Sequence, residues 1–214
     1  MDSTSPRPVG LRDGSEIAVR PIEPTDREGL RRAFHRLSPE SRYRRFFAPL
    51  TDLSERDLSY LTEIDHRDHE ALVALDPAAE IVGVARYVRG GEPHLAEASI
   101  VVADDWQHRG VATALLERLA PLAREAGITH FVALILSENR DAIELFQHFA
   151  PSEPPRRSRS GHLELLIELP EEGAIRGTAL GRALRDAARG LVTMNPWRVL
   201  VGTIQRWSHN RPGR

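Results

Sequence analysis

The sequence contains neither cysteine nor lysine. Without cysteine the chain can form no disulfide, offers no thiolate nucleophile and cannot build a cysteine-based zinc site. Without lysine it has no side-chain amine for a Schiff base, and all 29 basic residues are arginines. Arginine keeps its proton near neutral pH, so these residues supply positive charge and hydrogen-bond donors rather than a nucleophile.

Long apolar runs are also missing, and neither sign of charge dominates. No window approaches the roughly 18 apolar residues of a membrane-spanning helix, and residues 1–10 lack the apolar stretch of a signal peptide. The 29 basic and 31 acidic residues give a formal net charge of −2, so no protein-wide field favours nucleic acid as a partner. We therefore expect a cytoplasmic protein with no transmembrane segment and no nucleic-acid partner.

The composition that is present is that of a folded protein, with 41% hydrophobic and 28% charged residues over 214 positions. That length fits one domain of ordinary size with an appendage. We expect a flexible N-terminus over residues 1–10, a globular domain over residues 11–170 and an amphipathic helical extension over residues 171–214. The extension is predicted because Ala174–Arg189 places apolar residues on one helical side and arginines on another.

Strand and helix patterns alternate in the later part of the globular domain. A helix is predicted after Thr25, which has the capping-box spacing to Glu28; another runs from the Gly110 region to Gly127, and a third covers Asn139–Phe149. Apolar runs bounded by turn residues predict the strands Ile17–Arg20, Ala71–Leu75, Ile81–Val88, Leu95–Val102, Phe131–Leu136 and Leu163–Leu169.

The loop between the strand Leu95–Val102 and the helix that follows is a candidate anion site. The start of a helix offers unpaired backbone N–H groups and the positive end of the helix dipole, which together suit a pyrophosphate. Gly110 allows the backbone to come close, Ala112 is small, and Thr113 adds a hydroxyl. A glycine at this place is also typical of a plain turn, so both interpretations stand on this feature alone.

The spacing Gln107-x-x-Gly110-x-Ala112 resembles the acetyl-coenzyme A motif of the GNAT acetyltransferase superfamily, and it lies at the strand–helix junction where that motif belongs. Val102 before it and Asn139 after it match the same pattern. Three further segments, Val19–Ile22, Leu37–Phe47 and Ala96–Ala98, resemble the catalytic domain of bacterial protein lysine acetyltransferases. The resemblance covers roughly residues 11–170.

This resemblance implies an α/β (α+β) fold with a mixed, mostly antiparallel central sheet flanked by helices. Two of its strands would separate and leave a slot for the pantetheine arm of acetyl-CoA, which would hydrogen-bond there like an added strand. Acetyl-CoA would be the cosubstrate, with no metal. The residues implied to bind it are Val101, Val102, His108, Arg109, Gly110, Val111, Ala112, Thr113 and Asn139.

Acetyl transfer to an amine needs a proton acceptor, because an ammonium has no lone pair with which to attack a thioester. Glu97 matches the position of the base in the bacterial lysine acetyltransferases, and the alternative is an ordinary exposed strand glutamate. One departure concerns the leaving group, since Phe146 stands where many relatives have a tyrosine that protonates the coenzyme thiolate. Water, another group or unassisted departure of the thiolate would then replace that tyrosine.

Two other groups of residues have competing interpretations. Asp65, His66, Asp68 and His69 could form a metal cluster, but their spacing fits no strong zinc pattern and polar loops commonly contain such residues. The segment 44–47, Arg-Arg-Phe-Phe, has the helical spacing of buried aromatics with solvated arginines rather than of a nucleic-acid patch. The extension at residues 171–214 could cover its own domain or a second subunit, touch a membrane surface, or bind a partner.

The function expected from these residues is acetyl-CoA-dependent N-acetyltransfer to an amine acceptor, either a protein lysine or a small molecule. The alternative is a coenzyme A-binding regulatory module without turnover. Glu97 distinguishes the two, because a sensor needs no base there and transfer from an ammonium does. Dimerisation or a contact made by the extension would be compatible with either.

Overall fold

The computed structural model describes residues 6–11, 13–46, 50–136, 156–157 and 162–169. Predictions for Asn139, Phe146 and the extension over residues 171–214 lie outside the described residues. Within the described part of the chain, no helix is long and apolar enough to cross a membrane.

In the described part of the chain, eight strands form one mixed sheet, in agreement with the predicted fold class. Their order across the sheet is β1-β2-β3-β4-β5-β6-β8-β7, and each neighbouring pair is antiparallel except β5 and β6, which are parallel. The strands are β1 (Arg7–Gly10), β2 (Glu16–Pro21), β3 (His69–Leu75), β4 (Ile81–Arg89), β5 (Leu95–Val102), β6 (His130–Leu136), β7 (Arg156–Arg157) and β8 (His162–Glu168).

The sheet begins earlier than the sequence predicted. Arg7–Gly10 lies within the segment predicted to be a flexible N-terminus, yet it pairs with β2 from Arg7↔Val19 to Gly10↔Glu16. The pairing gives the backbone of this short polar segment its hydrogen-bond partners, and Val9 packs against the core.

Four α-helices among the described residues cover the two faces of the sheet. They are α1 (Arg27–His35), α2 (Pro39–Phe46), α3 (Glu55–Thr62) and α4 (Val111–Glu125), with short 3-10 turns at Pro24–Asp26 and Asp104–Trp106. The first helix does not start at a Thr25 cap. Instead, the Asp26 carboxylate accepts the Glu23 N–H at 2.8 Å and a bidentate pair from Arg20, with both N···O distances 2.7 Å.

Successive side chains of β5 point to opposite faces of the sheet, so they pack into two separate cores. Ala96, Ala98 and Ile100 are buried with the apolar side of α4. Val101 packs on the other face against the cluster that α1, α2 and α3 contribute to, and Glu97 and Ser99 share its parity along the strand. Glu97 is therefore directed into the α1–α3 side of the sheet.

Gly83 of β4 is where α4 comes closest to the sheet. A Cβ atom at this position would lie 2.9 Å from Val111 Cγ1 and 3.2 Å from Leu115 Cδ1. The first distance is shorter than carbon atoms tolerate, so a larger residue at Gly83 would have to displace the first turn of α4.

We expect Gly83→Ala to lower the free energy of unfolding by about 1–3 kcal/mol, the usual cost of overpacking a filled core. Gly90→Ala is the matched control, because a Cβ at Gly90 has no atom within 4 Å. Urea unfolding of the full chain measures both. Equal stability of the two variants would mean that α4 adjusts freely against the sheet.

Candidate active site

β5 and β6 separate in the middle of the sheet. Their parallel pairing extends from Leu95↔His130 to Glu97↔Val132, whereas β5 continues along β4 as far as Val102↔Gly83. From Ala98 to Val102, β5 has no strand on its β6 side among the described residues. Glu97 is the last residue of β5 that pairs with β6, and this point of separation is called the fork below. The half-buried Val101 and Val102 follow it on the part of β5 that has no β6 partner.

The loop between β5 and α4, residues 103–110, presents an array of backbone N–H donors and is called the donor loop below. His108 and Gly110 both have positive φ, at 64° and 103°. Among the described residues, none of the N–H groups from His108 to Thr113 has a hydrogen-bond partner within the protein. Alternating backbone conformation and a helix start thereby aim several N–H groups and the positive end of the α4 dipole at one place, an arrangement that binds anions.

Side chains of the same loop hold it to the end of β5 and to the α1–α2 connection. Gln107 Nε2 donates to the Val102 carbonyl at 3.2 Å and to Asp104 Oδ1 at 3.0 Å. The other oxygen of Asp104 accepts the Ser38 N–H at 3.0 Å, and Arg36 pairs with Asp105 at 2.5 Å. The motif glutamine is therefore an anchor of the loop, and no sequence pattern marks its acidic partner Asp104.

The other motif residues have distinct surroundings. The Arg109 guanidinium lies 4.8 Å from the centre of the Trp106 ring and 3.7 Å from an Asp13 carboxylate oxygen. Val111 and Ala112 are buried against the core, which explains the small residue at position 112. Thr113 is half-buried at the helix start.

Glu97 is buried rather than solvated. Its exposed fraction is only 6%, so the alternative of an ordinary exposed strand glutamate does not hold. Arg86 of β4, 2% exposed, and the fully buried Ser99 lie on the same side of the sheet. Such a group of buried polar side chains in a fold of this size is a candidate centre for chemistry.

Arg45 of α2 completes this buried group, and here the interpretation of solvated arginines is wrong. Arg45 is 5% exposed, and its Nη2 donates to Ser99 Oγ at 3.2 Å. Burial and the positive charge of Arg86 lower the pKa of Arg45 to about 9, while attraction to Glu97 raises it. Its neighbour Phe46 is buried, as predicted.

Arg86 links the buried group to β3 and α3. Its Nη1 lies 2.9 Å from His69 Nε2, and its Nη2 donates to the Leu61 carbonyl at 3.2 Å. Burial lowers the pKa of Arg86 to about 10. Burial and the charge of Arg86 lower the pKa of His69 to about 3, so His69 is neutral and accepts the arginine proton through Nε2.

The residues considered as a metal cluster have other roles. One carboxylate oxygen of Asp65 accepts the N–H groups of Arg67, Asp68 and His69 at 2.8–2.9 Å. His66 Nδ1 lies 2.9 Å from Glu70 Oε1, and His69 faces Arg86. Within the described ranges, no three histidine, cysteine or acidic side chains are grouped to hold a metal ion.

The family model for GNAT acetyltransferases matches residues 31–150, which include the fork, the donor loop and α4. The chain belongs to the GNAT acetyltransferase family. It is an N-acetyltransferase, and the resemblance seen in its sequence motifs is confirmed.

Individual relatives of this GNAT protein agree with the family assignment. It is 33% identical over 133 residues to acetyltransferase PA5475 of Pseudomonas aeruginosa, which covers 61% of this chain and 72% of that protein. It is 34% identical over 137 residues to acetyltransferase Pat of Mycolicibacterium smegmatis, covering 63% of this chain and 41% of Pat. The match therefore spans less than half of Pat's length.

The crystal structure of the GNAT domain of S. lividans PAT superimposes with a TM-score of 0.67 at 36% sequence identity. The alignment covers 77% of this chain and 97% of that domain. The similarity therefore extends across nearly the whole of a solved GNAT domain.

The neutral state of His69 should make stability depend on pH. Its pKa of about 3 in the folded protein lies below the ordinary histidine value of 6.5, so the unfolded chain binds more protons between these values, and stability is lost as the pH falls below 6.5. His69→Gln keeps a hydrogen-bond acceptor at this position. We expect the free energy of unfolding of this variant to fall by about 2–3 kcal/mol less than that of the parent between pH 7 and pH 4.5. Urea unfolding across that range measures the difference. Parallel curves would show that His69 titrates normally in the folded protein.

The donor loop makes Gly110 the position most sensitive to an added carboxylate. We expect Gly110→Asp to weaken acetyl-CoA binding by about tenfold or more, because the new charge would repel the pyrophosphate at the helix start. Gly127→Asp is the matched control, since Gly127 has φ +82° at the other end of α4 and, like Gly110, has open space at its Cβ. Calorimetric titration measures both, and equal affinities would place the pyrophosphate elsewhere.

Proposed function

We propose that this protein transfers the acetyl group of acetyl-CoA to the ε-amine of a lysine in another protein, with Glu97 as the general base. The observation that carries the proposal is the position of Glu97, a buried carboxylate at the fork of β5 and β6. The resemblance of its sequence segments to bacterial protein lysine acetyltransferases supports a protein as acceptor. The cytoplasmic location expected from the sequence stays a prediction.

Acetyl-CoA fits the residues present. The N–H groups of His108, Arg109, Gly110, Val111, Ala112 and Thr113 would hold its pyrophosphate. The pantetheine arm would then lie along Val101 and Val102, where β5 lacks its β6 neighbour and can accept an added strand-like partner. Asn139 is a further proposed contact to this arm, carried over from the family resemblance.

The reaction transfers one acetyl group and removes two protons from the acceptor nitrogen, one before the attack and one as the amide forms, the second ending on the coenzyme A thiolate. Glu97 would accept a proton from the acceptor ammonium, whose pKa near 10.4 keeps it charged at neutral pH. The freed lone pair would attack the thioester carbonyl, forming a carbon–nitrogen bond as the carbon–sulfur bond breaks. Because a thiol has a pKa near 8.5, the departing thiolate is stable enough to leave without a tyrosine at position 146.

The regulatory-module alternative makes a different use of Glu97. A sensor that only binds coenzyme A has no need for a proton acceptor at the fork, whereas transfer from an ammonium needs one there. The position of Glu97 at the fork therefore favours turnover. A homodimer or a contact by residues 171–214 is compatible with turnover and stays a prediction.

We expect Glu97→Gln to keep its affinity for acetyl-CoA and to lower turnover at pH 7 by about 10²–10⁴-fold, the usual contribution of a positioned base. Raising the pH should restore part of the rate, because more acceptor amine arrives already neutral. Thiol release from acetyl-CoA with lysine-containing protein acceptors measures turnover, and calorimetry measures binding.

Glu92→Gln is the control, because Glu92 is an exposed residue just before the same strand. A Glu97→Gln variant as active as the parent at pH 7 would make Glu97 a bystander. Parallel loss of coenzyme binding would give it a structural role instead. A parent that binds acetyl-CoA and acetylates no amine would favour the regulatory module.

A further inference from the structure

The buried group beside Glu97 contains more positive charge and more donors than its known partners satisfy. Arg45 Nε and Nη1 and Arg86 Nε are all buried without a hydrogen-bond partner. Arg86 repels Arg45 and Glu97 attracts it, so two buried guanidinium groups lie close together near this carboxylate. Leaving buried arginine donors unpaired is costly, so an additional acceptor at this place would be strongly favoured.

Both arginines line a cavity on the α1–α3 side of the sheet. The cavity has a volume of about 40 Å³, and its other walls are mostly apolar, with Leu30, Phe34 and Val84 among them. It also reaches Val101, which follows Glu97 along the open side of β5. A space of this size holds a small group such as a carboxylate, and Arg45 and Arg86 supply charged donors in its wall.

We propose that Arg45 and Arg86 bind a carboxylate of the amine acceptor while its amine meets Glu97. A planar carboxylate matches the arginine fork better than a spherical anion does, and it would supply the missing negative charge. The path that brings the amine to the buried Glu97 would admit the carboxylate too. This inference rests on the proposed acetyltransferase function and defines its substrate class.

The strand geometry sets the length of such an acceptor. Arg45 contacts Ser99, which lies two residues beyond Glu97 on the same face, and residues at this spacing are about 7 Å apart. The acceptor should therefore carry its carboxylate about 7 Å from its amine. Extended aminohexanoate has this separation, as does a lysine side chain beside an acidic residue in a peptide.

Matched acceptor pairs test the proposal on the full-length protein. Aminohexanoate is compared with hexylamine, and lysine peptides with glutamate beside the lysine are compared with the same peptides carrying glutamine. We expect kcat/KM to be about 10- to 100-fold higher for the carboxylate member of a pair. A preference in the amino acids alone identifies a small-molecule acceptor, whereas a preference in the peptides alone identifies a protein acceptor.

Arg45→Met should bring this ratio close to one, because it removes the charge and keeps an apolar side chain. Arg56→Met is the control and should keep the ratio, since Arg56 is exposed on α3. An unchanged ratio in Arg45→Met would overturn the proposal. If Arg45→Met fails to fold, ω-amino acids from glycine to aminooctanoate tested on the parent decide, because a carboxylate site at a fixed distance predicts a maximum at aminohexanoate, whereas apolar contact alone predicts a rise that continues with length.

A parent that prefers neither member of the pairs would overturn the carboxylate site and leave acetyl transfer standing. A parent that acetylates no acceptor would count against the proposed function. Calorimetric titration with aminohexanoate and with hexylamine, in the presence of coenzyme A, then tests the carboxylate site independently of turnover. Binding of aminohexanoate alone would support it, and equal binding or no binding would overturn it.

Discussion

The separation of β5 from β6 after Glu97 is the constraint on which the rest of the site depends. β6 leaves its parallel neighbour and continues along β8 to Leu136↔His162, so the sheet stays continuous at one end and opens at the other. The opening exposes strand backbone beside Val101 and Val102, and unpaired strand edges accept extended ligands. The same fork brings Glu97 to the end of that edge.

Motif residues of the donor loop perform three different physical tasks. Gln107 ties the loop to the Val102 carbonyl, so the loop follows the end of β5. Gly110 adopts the positive φ that turns the chain into α4, and Ala112 is small because it is buried in the core. A sequence motif of this kind therefore combines support, backbone conformation and packing, and only the exposed N–H groups are directed at a ligand.

The periodicity of apolar residues predicts the strands and helices that carry the site. It does not predict which charged side chains are buried. The strand Leu95–Val102 has the predicted bounds, and Gly127, at the predicted end of the helix, follows α4 with a positive φ. Arg45 was assigned to solvent because arginines on a surface helix normally extend into water. Its true environment depends on Ser99 and Arg86, which are distant in sequence, and no local pattern contains that information. The same holds for Asp104, whose partner Ser38 lies on another element.

These non-local contacts also connect the two halves of the proposed chemistry. Asp104 binds Ser38 at the start of α2, and Asp105 binds Arg36 at the end of α1, so the donor loop is joined to the helices that cover Glu97. α2 in turn supplies Arg45 to the buried group. The proposed coenzyme site at the donor loop and the buried group around Glu97 are in this way held in place by the same set of contacts.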